Sequence, residues 1–399
     1  MLNVVSFDEA KRIIDEKLLC SPVSEQVGVD RALGRVTTGD IVSREDVPSF
    51  TRSTVDGYAV RAADTYGAGE SIPALLKITG EILMGENASF AVDSGECTAI
   101  STGGMLPSGA DAVVMVENTD CENGELCLVF KAVSPFENVT KQGDDVMRGS
   151  VVIPEGTQLN ASHIGVLASL GICEISAVKK PKVAIISTGD EIVDISQEPG
   201  IGQIRDVNSH LLCAMLESCG CEAVKCGVFR DCYEDIFNAV KAACGSCDAV
   251  LISGGSSAGV RDMTAGIISE LGEVYAHGVA IKPGKPTIIG KVGSVPVFGL
   301  PGHPAAAFFV TLSLVIPMLE KMSGVPHKDS TVSLPLRSNI SSNHGREEFH
   351  CVRIEDGIAV PNYAKSGIVS MLTRSDGYIV IGRNTEGIKA GEKVLVHLF

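Results

Sequence analysis

Behind Ser6 and Glu9, spaced as an N-cap and its capping-box partner, the apolar residues Ala10, Ile13, Ile14 and Leu18 fall on one helical face. The spacing predicts an amphipathic helix over 6–19. From about 27 to 145 the period shortens. Apolar runs at 112–116 and 126–129 are cut by turns at Glu122-Asn-Gly124 and Pro107-Ser-Gly109, which predicts a β-rich module. Helical spacing returns over 157–172, with Asn160 as the cap before the run 164–170. A β-rich module bracketed by helical stretches reads as an insertion into a small helical domain.

From Pro181 to about Gly324 apolar strands alternate with helices. Strands are predicted at 183–186, 223–229, 249–252 and 295–300, and helices at 209–219, 231–243, after Asp262, and at 305–319. That alternation predicts a parallel sheet covered on both faces, an α/β domain. After Pro326 the helical pattern stops, and short runs at 331–336, 349–354, 357–360, 378–381 and 394–398 predict a small β-domain.

Composition narrows the function. The formal net charge of -16 argues against binding a phosphate backbone, and the absence of Trp argues against a stacking platform for bases. No nucleic-acid partner is expected. The N-terminal stretch lacks a signal-peptide core, and no run reaches about 18 uncharged apolar residues, so a soluble cytoplasmic protein without a membrane partner is expected. Thirteen scattered cysteines fit reduced thiols there. Seven lie between Cys213 and Cys247, including Cys219-Gly-Cys221 and Cys244-Gly-Ser-Cys247. Those spacings admit a zinc or iron–sulfur site, but small hydrophobes on helix faces fit them better.

Three apolar strands of the α/β domain end in glycine-rich turns: Ser187-Thr-Gly-Asp-Glu191, Ser253-Gly-Gly-Ser-Ser-Ala-Gly259 and Leu300-Pro-Gly-His-Pro304. Ligands of open α/β sheets bind outside the carboxyl ends of the strands, and glycine lets backbone N–H groups approach an anion. One such loop is as often an ordinary tight turn; three on consecutive strands favour a phosphate or pterin ligand. The same rim carries Glu191, Asp231 and Asp262. Grouped carboxylates repel, and a divalent cation such as Mg²⁺ would relieve them. Taken alone, Asp262 reads better as a helix cap. Lys282 and Lys285 flank a Pro-Gly turn that can aim both ammonium groups at one tetrahedral oxyanion, or leave both in solvent.

Ser53-Thr-Val-Asp56-Gly-Tyr-Ala-Val60, Ser101-Thr102-Gly-Gly, the three glycine-rich turns and Ile281-Lys-Pro-Gly-Lys-Pro286 together resemble, in order, the signature set of the molybdopterin molybdenumtransferase family. The resemblance implies a molybdopterin-binding, doubly wound α/β domain at 179–326. With it come a helical domain (1–26 and 146–178), an inserted β-rich domain (27–145) and a C-terminal β-barrel-like domain (327–399). It implies a homodimer whose clefts join the α/β domain of one subunit to the inserted domain of the other. The implied reaction inserts molybdate into adenylylated molybdopterin with Mg²⁺, releasing AMP, and the molybdopterin adenylyltransferase is a candidate partner.

By position, the resemblance makes Asp56 and Thr102 the partner subunit's contribution, and Glu191, Asp231 and Asp262 the acids that place Mg²⁺ and water. Lys282 and Lys285 would hold the oxyanion. Thr188, Gly189 and the loop of Ser253, Gly254, Gly255, Ser257 and Gly259 would receive the ligand, with Pro301, Gly302 and Pro304 shaping the wall. Gly345-Arg346-Glu-Glu-Phe349 and Lys365-Ser366-Gly367 would add Arg346 and Ser366 near the oxyanion, where an Arg fork suits a tetrahedral anion.

Two positions depart from the family pattern. In Asn138-Val-Thr140-Lys-Gln-Gly143-Asp-Asp145, Thr140 stands where an Arg is usual, with Lys141 next to it; His303 stands where Asn is usual. These leave molybdate against tungstate open. The competing readings are a single-domain molybdopterin adenylyltransferase, which would not need residues 53–60 or the β-tail, and a non-catalytic scaffold, which would be expected to carry an extra domain.

Overall fold

The computed structural model describes residues 4–254, 258–363 and 369–399. The chain divides into two compact units. One comprises residues 1–25, 34–36 and 176–399, the other 26–33 and 37–175.

The larger unit is built on a six-stranded sheet. Its strands are β1 (Lys182–Thr188), β2 (Glu222–Phe229), β3 (Ala249–Gly254), β4 (Glu273–His277), β5 (Ile288–Val292) and β6 (Val295–Leu300). Their order is β2-β1-β3-β6-β5-β4. β1 runs parallel to β2 and β3, and β3 parallel to β6. The expected parallel sheet is therefore mixed, because β5 and β4 join antiparallel at one edge. The cause is local. Val292 pairs with Val295 across Gly293-Ser294, and a two-residue link closes a hairpin but cannot make a crossover.

Alternate residues of β1 and β3 enter different cores. Val183, Ile185, Ala249 and Leu251 pack with Leu212 and Leu216 of helix Asn208–Ser218 and with the helical stretch 304–323. Ala184, Ile186, Val250 and Ile252 pack with helices Tyr233–Cys244 and Ala258–Leu271. Both faces of the sheet are thus covered. The stretch 304–323 is long and apolar enough by composition to cross a membrane, but it is mostly buried in this core. Cys221 and Cys247 are buried in the same two clusters, as small hydrophobes. Among the described residues no three His, Cys, Asp or Glu side chains are placed to hold a metal ion.

The N-terminal helix Phe7–Ile13 continues as a wider turn over Ile14–Leu18, and Phe7, Ala10, Ile14 and Leu18 lie in the core of this sheet. Ser6 caps it by accepting from the Glu9 N–H. The Glu9 carboxylate instead takes the Arg12 guanidinium at 2.6 Å, one turn on. Farther along, Ile281–Lys282 pairs with Glu347–Glu355 in a second sheet that continues through Gly377–Ile381, Lys393–Leu398 and Thr331–Pro335. Ile358–Pro361 adds to Glu347–Glu355, and Leu336 bridges to Ala359.

In the smaller unit, six strands order as Ala112–Met115, Gly57–Val60, Glu96–Ile100, Ala74–Ile82, Leu126–Val129 and Thr119–Glu122. Helix Ala161–Ser169 starts on Asn160, whose side chain accepts from the His163 N–H while His163 returns a bond to the Asn160 N–H.

Gly254 at the end of β3 has φ +148°, and a Cβ there would lie 2.1 Å from the Thr188 carbonyl oxygen of β1. Gly254→Ala is therefore expected to cost about 2–3 kcal/mol, read as a lower denaturation midpoint; an unchanged midpoint would show that β1 and β3 separate freely there.

Candidate active site

The buried runs of β1, β3 and β6 leave polar groups to their carboxyl ends. In register, Thr188 lies opposite Phe229 and Gly254, and Ser253 opposite Leu300. This gathers Thr188, Gly189, Ser253, Gly254, Pro301 and Gly302 on neighbouring strand ends. Buried Asn208 ties them together: its Nδ2 donates to Ser253 Oγ at 2.8 Å and to the Gly302 carbonyl at 2.9 Å. Among the described residues, Ser187 Oγ, Thr188 Oγ1 and Asn208 Oδ1 are buried there with no hydrogen-bond partner. Buried polar atoms are almost always paired, so these strand ends fit a ligand that brings hydrogen-bonding groups. Asn208 escaped the sequence reading; an Asn at a helix start is usually only a cap.

Gly259 is the second residue of helix Ala258–Leu271, and Pro304 opens the helix Pro304–Val310. Gly255, Ser257 and Ser366 lie outside the described residues.

An acidic rim flanks these ends. The Gly189 N–H donates to the Phe229 carbonyl at 3.1 Å, and the Asp231 N–H to Asp190 Oδ1 at 3.3 Å. Asp231 is half-buried, and its pKa is raised, first by burial and then by the charges of Asp190 and Glu191. Its Oδ1 is buried and unpartnered among the described residues. A crowded carboxylate with a free buried oxygen fits a hard divalent cation, which takes one or two carboxylates and completes its shell with phosphate oxygens and water. Asp190, not singled out from the sequence, stands beside Glu191 in this group. Asp262 is exposed and is not among the charges acting on Asp231. It lies five residues into its helix, whose first turn carries no acid, so the helix-cap reading of Asp262 does not hold.

The lysine turn opens on a different environment. The Thr287 hydroxyl donates to the Gly284 carbonyl at 2.6 Å and the Val279 N–H to the Lys285 carbonyl at 3.0 Å, fixing its backbone. Lys282, Lys285, Pro301, His303, Arg346 and His350 line a cavity of about 910 Å³. Behind them Glu348 has no exposed surface. Its Oε2 lies 3.0 Å from Lys282 Nζ and 3.2 Å from His350 Nε2, and its Oε1 3.1 Å from Arg346 Nε. Burial would raise the Glu348 pKa. Hydrogen bonds from Lys282 and the Asn343 N–H, with the charges of Lys282 and His350, bring it below the usual range.

In the smaller unit Asp56 and Thr102 meet because Gly57 pairs with Ile100 at one sheet end. Asp56 Oδ1 accepts from the Thr102 N–H at 2.7 Å and its hydroxyl at 3.0 Å, which lower its pKa in that order. Thr140 pairs across a short ladder with Arg52, and Lys141 Nζ sits 3.5 Å from the centre of the Phe136 ring.

Fold and site define an α/β protein with unpaired polar groups at its strand ends and a separate pocket lined by cationic side chains. The chain matches the MoeA N-terminal region (domain I and II) over residues 5–171, the "Probable molybdopterin binding domain" over 184–321, and the MoeA C-terminal region (domain IV) over 333–399. It is 31% identical to a molybdopterin molybdenumtransferase of Haemophilus influenzae, over 99% of both chains. It is also 31% identical to one of a Nostoc species, over 94% of this chain and 88% of the other. A crystal structure of a molybdopterin biosynthesis MoeA protein from Pyrococcus horikosii superposes with a TM-score of 0.86 at 40% identity, covering 99% of each chain. The chain belongs to the molybdopterin molybdenumtransferase family.

The raised pKa of Asp231 carries a stability signature. The folded state holds its proton more tightly than the unfolded chain, so stability is greatest below the unfolded carboxylate value and is lost as pH rises through the folded one. Asp231→Asn removes that loss. In metal-free buffer at pH 7 the variant should melt about 2–4 °C above wild type, and the two should converge as pH falls below about 4. Parallel melting curves at every pH would refute the crowded-carboxylate account.

Proposed function

We propose that this protein inserts molybdate into adenylylated molybdopterin, releasing AMP and giving molybdenum cofactor. The observation that carries the reading is the cavity walled by Lys282, Lys285 and Arg346, a concentrated cationic surface in a chain of net charge -16. Matches to both the N-terminal and C-terminal regions favour this over a single-domain adenylyltransferase.

In this mechanism Lys282, Lys285 and Arg346 hold the oxyanion; the role that the family resemblance implies for Ser366 falls outside the described residues. Thr188, Ser253 and Asn208 hold the polar part of the nucleotide-bearing pterin at the strand ends. Breaking its phosphoanhydride builds charge on phosphorus oxygens, so positioned donors and cations supply most of the catalysis. Mg²⁺, when bound, supplies Lewis-acid stabilisation at those oxygens. Asp231, with Asp190 and Glu191 beside it, would offer that ion one or two carboxylates, with phosphate oxygens and water completing its shell, and Asp262 would act from outside this group. The tungstate-preferring form of the same reaction differs only in the anion that the cavity selects.

The working molecule in this reading is a cytoplasmic homodimer of four-part subunits, with the domain limits set out above and a barrel-like C-terminal domain supported by the Leu336–Ala359 bridge. Asp56 and Thr102 then serve the partner subunit's site, and the molybdopterin adenylyltransferase is a candidate partner.

Purified protein given adenylylated molybdopterin and Mg²⁺ should release AMP only when molybdate or tungstate is added. Lys282→Ala should raise the half-saturating oxyanion concentration about tenfold. Release independent of oxyanion would overturn the reading.

A shared site has a sharper consequence. Asp56→Ala and Asp262→Ala homodimers should each be nearly inactive, while their refolded mixture should regain about a quarter of wild-type activity, because half the dimers are mixed and half their sites intact. Proven subunit exchange with no recovery would place Asp56 and Asp262 in one chain's site.

A further inference from the structure

Glu348, behind the side chains that line this cavity, has no exposed surface and faces donors rather than solvent. Four N–H groups converge on its two oxygens. Lys282 Nζ and His350 Nε2 reach Oε2 at 3.0 and 3.2 Å, and Arg346 Nε and the Asn343 N–H reach Oε1 at 3.1 and 3.3 Å. The backbone explains the convergence. Ile281–Lys282 runs parallel to the start of Glu347–Glu355 with Lys282 opposite Glu348, while Arg346 and His350 flank Glu348 two residues to either side.

We propose that Glu348 is the positioning residue of the oxyanion pocket, pinning Lys282 and Arg346 so that their remaining N–H groups converge on one tetrahedral dianion. This rests on the oxyanion reading of the cavity given above. The bond to Arg346 uses Nε and leaves the terminal pair of nitrogens, the pair suited to a forked contact with an oxyanion. Lys282 keeps two further N–H groups, and its side chain is 48% exposed to the cavity side. A lysine so exposed would otherwise spread over several rotamers, and ordering it in advance removes that cost from anion binding.

The substitution Glu348→Gln separates positioning from bulk charge by sign. Simple Coulomb reasoning says that removing a negative charge behind the pocket should tighten anion binding. Positioning says the opposite. A carboxylate accepts on both oxygens, whereas an amide offers one oxygen and an NH₂ donor. Whichever way the Gln turns, its NH₂ meets two of the four N–H donors, and either Lys282 or Arg346 is displaced.

The test is a calorimetric titration of molybdate, and separately tungstate, onto the full-length protein without pterin. Glu348→Gln should weaken binding about tenfold, in the range seen when a partner that orients a ligating side chain is removed. Glu348→Asp, which keeps the charge and both acceptors, should lose about threefold. In a Lys282→Met background the Glu348→Gln penalty should shrink, since its main target is already gone. In turnover, the half-saturating oxyanion concentration should rise by the same factor as the binding constant, with the saturated rate within about twofold. Unchanged or tighter binding by a Glu348→Gln protein that melts like wild type overturns the inference. Should that variant not fold, unchanged or tighter binding by Glu348→Asp overturns it equally. If wild type binds neither anion, the oxyanion reading itself fails and takes this inference with it.

Discussion

A strand covered on both faces has no place for a polar side chain except at its ends, and this constraint sets where the rest of the larger unit can do chemistry. Residues 183–186 of β1 and 249–252 of β3 are buried between two helical layers and are wholly apolar. Polar residues begin at Ser187, Thr188 and Ser253, all at one edge because the strands are parallel. Close approach there demands Gly254, whose missing Cβ makes room for the Thr188 carbonyl. The location of these polar groups therefore follows from the layering before any substrate is considered.

Charge is handled by segregation. An acidic chain that is to bind anions must keep most of its carboxylates away from the binding surface, and the fully buried carboxylate of Glu348, behind the cavity, is turned to cations. Burying an ion pair is costly, and it is tolerable when every lone pair is satisfied. Glu348 meets that condition with four donors. The partners keep exposure unequal to their acid: Lys282 is half exposed and Arg346 a third exposed, whereas Glu348 is closed off. The carboxylate is thus spent on holding side chains, and the cations face the cavity.

Much of this was legible in the chain itself. Period-two runs located the strands of the tail within a residue or two, and Ser6 and Asn160 marked helix starts because a capping oxygen has a local signature. The glycine-rich turns indicated the strand ends. What stayed hidden depends on distant pairing. The Lys282–Glu348 contact spans 66 residues and exists only because two short strands align in parallel. Asp56 looks like an ordinary turn acid until Gly57 pairs with Ile100 and brings Thr102 alongside, and only the family resemblance singled it out. The antiparallel edge was readable in principle, since Gly293-Ser294 between two apolar runs is a hairpin signal, but the alternation of strands and helices around it predicted a parallel sheet.

Two acids of the larger unit, Asp231 and Glu348, show how the same functional group is set to opposite ends. Asp231 is crowded by Asp190 and Glu191 after partial burial, so its folded pKa rises and its stability contribution is lost as pH increases. Glu348 is more deeply buried, yet its donors outweigh the burial, so its folded pKa falls. Its contribution is present above the unfolded carboxylate value and lost as pH decreases through the folded one. Burial alone therefore does not decide which acid can accept a cation. The neighbours do: an acid among acids gains from a metal ion, while an acid already ringed by four N–H groups has no lone pair to offer one. On that argument a cation would be better accommodated beside Asp231 than at Glu348, which is already committed to the side chains it holds.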